Sequence, residues 1–508
     1  MSVIKARKLG GFLEFNPAEQ RVLEDLKLKI LQAYESFGFV PIETCAVEPK
    51  EVLTAKGGSI DKQIYAVSRL VGEVELNASL EEAIKRLSEN GAPSFLESYL
   101  NADSLKEFKF EEEDSDDVKV LKVIRGLVKR SQTDMALHFD LTIPFAHYVA
   151  KYKNELVFPF RRYQMQKVWR GERQQSGRYR EFYQCDIDVI GRGELSLLAD
   201  AEMPSIISQI FDKMNIGRFV TRISNAKIQQ EYFRYAGVPE ELLVVAKDAI
   251  DELGKVGVNR TVTSLSVGTG ISTDRAREVV GFVTQSGLSS DDLLKKLATI
   301  PVSDRYRTGL AELGEVMEGV RVFGVPDTQV RVDLSVARGL DYYTSTVYET
   351  VLVDQSGVGS VCGGGRYDDL ASYYTDEKFP GVGISIGLTR LVARLIGAKL
   401  VEPKHTATAS VLVTTLGFAH MPKYTKIARQ LRAADINTEL YLGLAPIGKQ
   451  LQYANRKGFQ LAIIAGDREF DRNCVQIRNL VTGKSGEYLT DSIVTEVNYI
   501  LGLIREGR

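Results

Sequence analysis

The chain has 508 residues, enough for about three or four domains of roughly 150 residues, each with its own core, so a small module is excluded. Hydrophobic residues make up 44% and charged residues 26%, with 43 glycines and 14 prolines, a globular composition rather than a disordered or fibrous one. Lys plus Arg count 65 against 67 Asp plus Glu, a net charge of −2, so no global basic field advertises nucleic acid and any such partner must be held by local patches.

The opening MSVIKARKLGGFLEF has basic residues but no apolar run behind them, which argues against an export signal. The longest apolar stretches, 461–465 and 383–388, fall far short of the roughly 18 residues of a membrane span, and the cytoplasm is the expected compartment. Residues 18–37 repeat apolar positions at three and four residue spacing with Gly38 placed to stop a helix, and GFVPIETCAVE follows as a strand. Between 72 and 133 a helical stretch and the acidic run EFKFEEEDSDD interrupt this pattern as an insertion.

From 137, LHFDLTIPFAHYVA, FPFRRYQMQKVWRGER and YREFYQCDIDVIG predict strands, up to the helical SLLADAEMPSIISQIFDKM. Residues 226–320 predict a helical module within this α+β antiparallel sheet domain. TQVRVDL and TSTVYETVLVD resume the strands, GVGSVCGGGRYDDL reads as a glycine-rich turn, and PGVGISIGLTRLVARLIG passes from strand to amphipathic helix. After a linker, VEPKHTATA, strands and helices alternate, which predicts a separate C-terminal α/β domain over 407–508, with the catalytic region spanning 1–400.

The chemistry concentrates in two places. Arg170 and Glu172 stand two apart and share one strand face, while Gln184, Asp186 and Asp188 share another with Cys185, Ile187 and Val189 behind them. That pattern suits a polar floor beside an arginine able to hold phosphate, although a solvated sheet face with ion pairs would show the same alternation. The loop 173–180 carries three arginines, and ARGLDYY at 337–343 sets a cation beside two tyrosines. The glycine run matches neither G-x-G-x-x-G nor G-x-x-x-x-G-K-[ST], so it predicts close backbone approach rather than a dinucleotide or Walker loop. Cys45, Cys185, Cys362 and Cys474, like His138, His147, His405 and His420, are too scattered for a structural zinc site and predict reduced thiols.

WRGER with GRYREFYQCDIDVIG resembles the class II aminoacyl-tRNA synthetase motif 2, GVGISIGLTRL resembles motif 3, and ARGLDYY with GGGRYDDL resembles signatures of the histidyl-tRNA synthetases. The resemblance runs through nearly the whole chain apart from 72–133. It implies an antiparallel catalytic sheet, a helical insertion domain and a C-terminal anticodon-binding domain. It further implies ligation of L-histidine to histidine tRNA through a histidyl-adenylate, with ATP and Mg²⁺, in a homodimer without a membrane anchor.

By that resemblance Arg170 would meet the ATP α-phosphate, Glu172 and Phe182 the adenine, and Arg390 the γ-phosphate. Arg338 would serve the α-phosphate and the substrate carboxylate. Asp140, Thr142 and Gln184 would hold the ammonium, Asp188, Tyr342 and Tyr343 the imidazole, and Gln175 and Arg178 the tRNA acceptor end. The Mg²⁺ ligands stay unassigned. This sequence departs from the family pattern at Cys45, where proline is general, at His138, where arginine is frequent, and at Thr389, where glutamate is usual. In the C-terminal region Lys449, Arg456, Lys457, Arg468, Arg472, Arg478 and Lys484 could form a local basic patch or a scattered solvated surface. The rival reading is a non-catalytic, histidine-sensing regulatory paralogue of the synthetase. Such a paralogue would lack the anticodon-binding domain.

Overall fold

The computed structural model describes residues 5, 7–55, 64–67, 115, 119–120, 134–171, 179–285, 287–337, 342–355, 359–403 and 406–506. Almost all of the acidic 72–133 insertion therefore lies outside the described residues. So do Glu172, Gln175, Arg178 and Arg338.

The strands are β1 Val40–Pro41, β2 Val47–Pro49, β3 Met135–Leu137, β4 Phe160–Trp169, β5 Glu181–Ile190, β6 Phe219–Asn225, β7 Val330–Val332, β8 Thr346–Leu352, β9 Ser360–Tyr367 and β10 Gly381–Gly387 in one compact unit. Eight of them form a sheet in the order β1-β4-β5-β10-β9-β8-β6-β7. It is antiparallel except where β1 runs with β4 and β6 with β7. The strongest alternation in the sequence becomes its centre. On β5, Cys185, Ile187 and Val189 are buried on one face, and the Tyr34 hydroxyl of the helix Pro17–Ser36 donates to the Cys185 carbonyl at 2.9 Å. β10 runs straight into the helix Leu388–Gly397, whose buried Leu388, Leu391, Val392 and Leu395 make the i, i+3, i+4, i+7 stripe of a helix lying on a sheet.

Helices occupy the interval between β6 and β7, from Ala226–Tyr235 to Asp304–Val322. Several begin where the sequence offers a short oxygen-bearing side chain, since such a group accepts from an amide of the first turn that the helix leaves unpaired. Asn225, Ser272, Ser289 and Ser303 each do so.

Three expected elements differ. GFVPIETCAVE gives not one strand but two short ones, β1 beside β4 in the large sheet and β2 beside β3 in a separate pair. LHFDLTIPFAHYVA yields only the short β3 and then a helix, Thr142–Tyr152. The run is apolar enough to pass for a strand, but Ile143, Ala146 and Val149 recur at helical spacing, and Pro144 falls in the first turn, where its missing N–H is harmless. The glycine-rich segment is not a turn over 360–367, because Ser360–Tyr367 is an interior strand. A Cβ at Gly364 would lie 2.0 Å from the Gly383 carbonyl oxygen, so the glycine serves close contact with the neighbouring strand.

The second compact unit comprises residues 14–25 and 401–508. Its strands, β11 Val411–Val413, β12 Thr438–Leu440, β13 Leu461–Ile464, β14 Cys474–Asn479 and β15 Ser485–Leu489, are ordered β12-β11-β13-β14-β15. The first three are parallel, as strand and helix alternation predicts, and β14 and β15 add an antiparallel hairpin. Among the described residues, no helix is long and apolar enough to cross a membrane.

Candidate active site

The floor of the site is β5 with its two neighbours. Register sets Arg162 of β4 and Gly383 of β10 on either side of Asp188, and Gln164 and Ser385 on either side of Asp186. Arg162 is wholly buried, and its Nη2 lies 2.5 Å from Asp188 Oδ2 and donates to the Leu141 carbonyl at 3.2 Å. The other Asp188 oxygen accepts from the Tyr367 hydroxyl at 2.8 Å. That arrangement depends on Gly383, where a Cβ would come within 2.1 Å of Asp188 Oδ1. Burial raises the Asp188 carboxyl to about 6, against the pull of Arg162 and Tyr367.

Asp186 is 2% exposed. Burial pushes its carboxyl up to about 7; Arg162 and a hydrogen bond from Ser385 oppose the rise, while Asp188 and Asp140 add to it. Gln184 Nε2 donates to Ser385 Oγ at 2.5 Å. Its Oε1 is buried and has no hydrogen-bond partner among the described residues.

Asp140 precedes the helix Thr142–Tyr152 and accepts from the Ile143 amide at 3.2 Å and the Tyr342 hydroxyl at 3.3 Å. Burial raises it to about 6, opposed chiefly by Arg170. Tyr342 also hydrogen-bonds Thr142, and its ring stands edge-on to Tyr343 at 4.6 Å and to Tyr367 at 6.2 Å. Gly365 makes room for this cluster, since a Cβ there would lie 2.6 Å from a ring carbon of Tyr343.

Arg170, just past β4, is aimed by a bond from Nε to the Phe139 carbonyl at 3.0 Å and sits 5.3 Å from the Phe182 ring. Arg390 and Arg394 lie one turn apart on the helix after β10 and oppose the burial-driven rise of the Tyr179 hydroxyl. Two of the unusual residues acquire contacts. Thr389 accepts from the Tyr183 amide at 2.9 Å, tying the helix start to β5. His138 is buried with Nε2 2.7 Å from the Lys167 carbonyl, and burial lowers its basicity.

Asp140, Thr142, Arg170, Phe182, Gln184, Asp188, Tyr342, Tyr343 and Arg390 all line one cavity of about 1610 Å³. Buried carboxylates and arginines in the same cavity can receive a ligand that carries both an ammonium and anionic groups. Sequence reasoning overlooked Arg162, Tyr367, Ser385 and Arg394, and left Asp186 without a role. A signal for Arg162 does exist in the alternation Arg162, Gln164, Gln166 along β4. Of the C-terminal basic residues, Lys457 pairs with Glu439 at 2.9 Å and Arg472 with Glu487 at 2.8 Å, whereas Lys449, Arg456, Arg468, Arg478 and Lys484 are exposed.

Residues 105–391 match the family model for histidyl-tRNA synthetase, and residues 410–499 match that for an anticodon binding domain. A histidine–tRNA ligase of Stenotrophomonas maltophilia is 39% identical over 501 residues, 97% of this chain and 97% of that protein. One from Nostoc punctiforme is 38% identical over 492 residues, 96% of each. The crystal structure of histidyl-tRNA synthetase from Nostoc sp. PCC 7120 has a TM-score of 0.78 at 36% identity, covering 98% of this chain and 100% of that one. A structure described as an ATP phosphoribosyltransferase regulatory subunit/histidyl-tRNA synthetase from Bacillus halodurans C shares the fold, with a TM-score of 0.64 at 17% identity over 89% of this chain and 97% of that one.

Proposed function

The chain belongs to the histidyl-tRNA synthetase family and joins histidine to tRNA with ATP; on that premise we propose that the β5 cavity is where it does so, and which residues carry each step. The observation behind the proposal is that nine side chains from well-separated stretches converge on one cavity that combines buried carboxylates with arginines.

In the first step a histidine carboxylate oxygen attacks the α-phosphorus of ATP, and pyrophosphate leaves. Two anions must be brought together in line, so positioning and fixed positive charge do most of the work, with no covalent enzyme nucleophile. Arg170 supplies charge at the α-phosphate, together with Arg338 of the ARGLDYY segment, which also takes the substrate carboxylate. Phe182 stacks on the adenine beside Glu172, and Arg390 meets the γ-phosphate. Asp140, Thr142 and Gln184 hold the ammonium. In the second step a hydroxyl of the terminal tRNA ribose attacks the adenylate carbonyl and AMP leaves, with Gln175 and Arg178 at the acceptor end.

Asp188, Tyr342 and Tyr343 face the imidazole. A pocket that satisfies ring nitrogens with buried polar groups leaves those groups unpaired when another side chain enters, and such discrimination can reach roughly 10⁴ or more. ATP is taken as its magnesium complex. No residue of this chain is assigned to the ion.

The proposal extends to a cytoplasmic homodimer. β1, two residues long at one edge of the sheet with Val40 46% exposed, is an open edge that a second copy could cover; a monomeric mass by light scattering would remove this part. The central test is histidine-dependent ATP–pyrophosphate exchange against a panel of amino acids, followed by charging of histidine tRNA. Exchange with histidine alone is expected. Histidine binding without exchange in a folded protein would instead favour the regulatory paralogue.

A further inference from the structure

Asp186 lies in the floor of the cavity with no part in the steps above. It faces Arg162 and Gln164 from β4, Asp188 on its own strand, Asp140 ahead of the helix Thr142–Tyr152, and Ser385 from β10. Arg162 is engaged by Asp188, and Asp186 Oδ1 has no hydrogen-bond partner among the described residues. Its register partner on β10 is Ser385, which opposes the rise of the Asp186 carboxyl and whose hydroxyl receives the Gln184 amide.

A serine hydroxyl has one proton to give, and an ionised carboxylate can only accept. Above about pH 7, where Asp186 is ionised, Ser385 therefore donates to it, leaving only lone pairs toward Gln184. That fixes the amide with its NH₂ toward Ser385 at 2.5 Å and its oxygen turned away. The exposed end of the relay is thus an acceptor, Gln184 Oε1, buried and without a partner among the described residues. A buried acceptor of this kind calls for a donor from the ligand.

We propose that Asp186 is a positioning residue for substrate recognition, acting through Ser385 to orient the Gln184 amide so that its oxygen, and not its NH₂, meets the substrate ammonium. This rests on the placement of the ammonium at Gln184 in the proposed function. With Asn at 186, the side chain can donate to Ser385, the hydroxyl can donate to Gln184 Oε1, and the amide can turn its NH₂ onto a cation.

The test compares a ligand that carries the ammonium with one that lacks it, measured by calorimetry with the full chain at about pH 8, where Asp186 is ionised. Histidinol carries ammonium and imidazole, whereas imidazolepropionate carries imidazole and carboxylate only. Asp186→Asn and Ser385→Ala should each weaken histidinol about tenfold, as for loss of a hydrogen bond to a charged group, and leave imidazolepropionate unchanged. Asp186→Asn should add nothing in a Gln184→Ala background. Equal losses for both ligands would make Asp186 merely structural and overturn the proposal. If Gln184→Ala itself fails to distinguish the ligands, the ammonium placement is wrong. If it distinguishes them while neither Asp186→Asn nor Ser385→Ala moves histidinol, the relay alone is wrong. Should Asp186→Asn not fold, Ser385→Ala carries the same comparison.

Discussion

The cavity floor and the sheet of the C-terminal unit are both interior β-structure, yet they bury opposite kinds of surface. In the C-terminal unit Val411, Val413, Leu461 and Ile463 pack with Ile427, Leu431, Val497 and Leu501 in an apolar cluster, and its stability grows with the area withdrawn from water. In the floor, Gln184, Asp186 and Asp188 of β5 are 6%, 2% and 2% exposed, and a few fixed partners must offset the desolvation of carboxylates. The contrast teaches that one core should be sensitive to volume and indifferent to charge, and the other the reverse. Buried polar groups held in place before the ligand arrives are what recognition requires.

The sharpest way to break the contrast is Arg162→Met, which keeps an unbranched apolar stem but removes the guanidinium and strands Asp188 without its cation. A loss of about 3–5 kcal/mol is expected in urea unfolding of the catalytic unit, largely recovered by Arg162→Met with Asp188→Leu. No loss from the single substitution would mean that the floor tolerates charge imbalance after all. Arg170→Ala comes next. It should slow the single-turnover formation of adenylate by about 10²–10³ while changing histidine affinity much less; an equal effect on both would remove Arg170 from the transition state.

A third expectation concerns pH. Folding raises the Asp186 carboxyl from 3.8 to about 7, so between those values the folded chain keeps a proton that the unfolded chain releases. The stability contributed by this group is complete below about pH 4 and is lost as pH rises through about 7, at up to about 1.4 kcal/mol per pH unit. Asp186→Asn cannot ionise, so it should be more stable than the parent chain at pH 8 and should lose that advantage at pH 5. Thermal unfolding at the two pH values checks this. A gain in stability alongside weaker histidinol binding would mark Asp186 as a residue that trades stability for recognition.

How far each region was legible follows from the range of the contacts that define it. The alternation Gln184, Asp186, Asp188 shows on the sequence because a strand repeats every two residues. The partnership of Arg162 with Asp188 does not, because it is set by register between strands 26 positions apart. The glycines at 363–365 read as a turn because glycine is the commonest turn signal; only the ring of Tyr343 and the backbone of β10 show that the missing side chains make room inside a sheet. The helix Thr142–Tyr152 was obscured because its residues 143–146 are continuously apolar, a pattern common to buried strands and buried helices. In the C-terminal unit the parallel strands were legible from strand and helix alternation, while the β14–β15 hairpin, with Gly483 at a positive φ in its turn, was passed over.

The smallest expected effect comes from the apolar side of the comparison. Ile463 is 1% exposed within the C-terminal cluster, and Ile463→Val removes one methylene without adding charge or a polar atom. Such a change costs about 1 kcal/mol through lost transfer energy and a small residual cavity. The loss should appear as faster amide hydrogen exchange in β11 and β13, to the same extent at pH 6 and pH 8 once the intrinsic exchange rates are corrected. It should leave histidine-dependent pyrophosphate exchange unchanged, because none of the residues assigned to adenylation lies in this unit. A pH-dependent loss would show that the apolar core is coupled to a titrating group, and the division between a volume-sensitive and a charge-sensitive core would fail at the point where it is most easily measured.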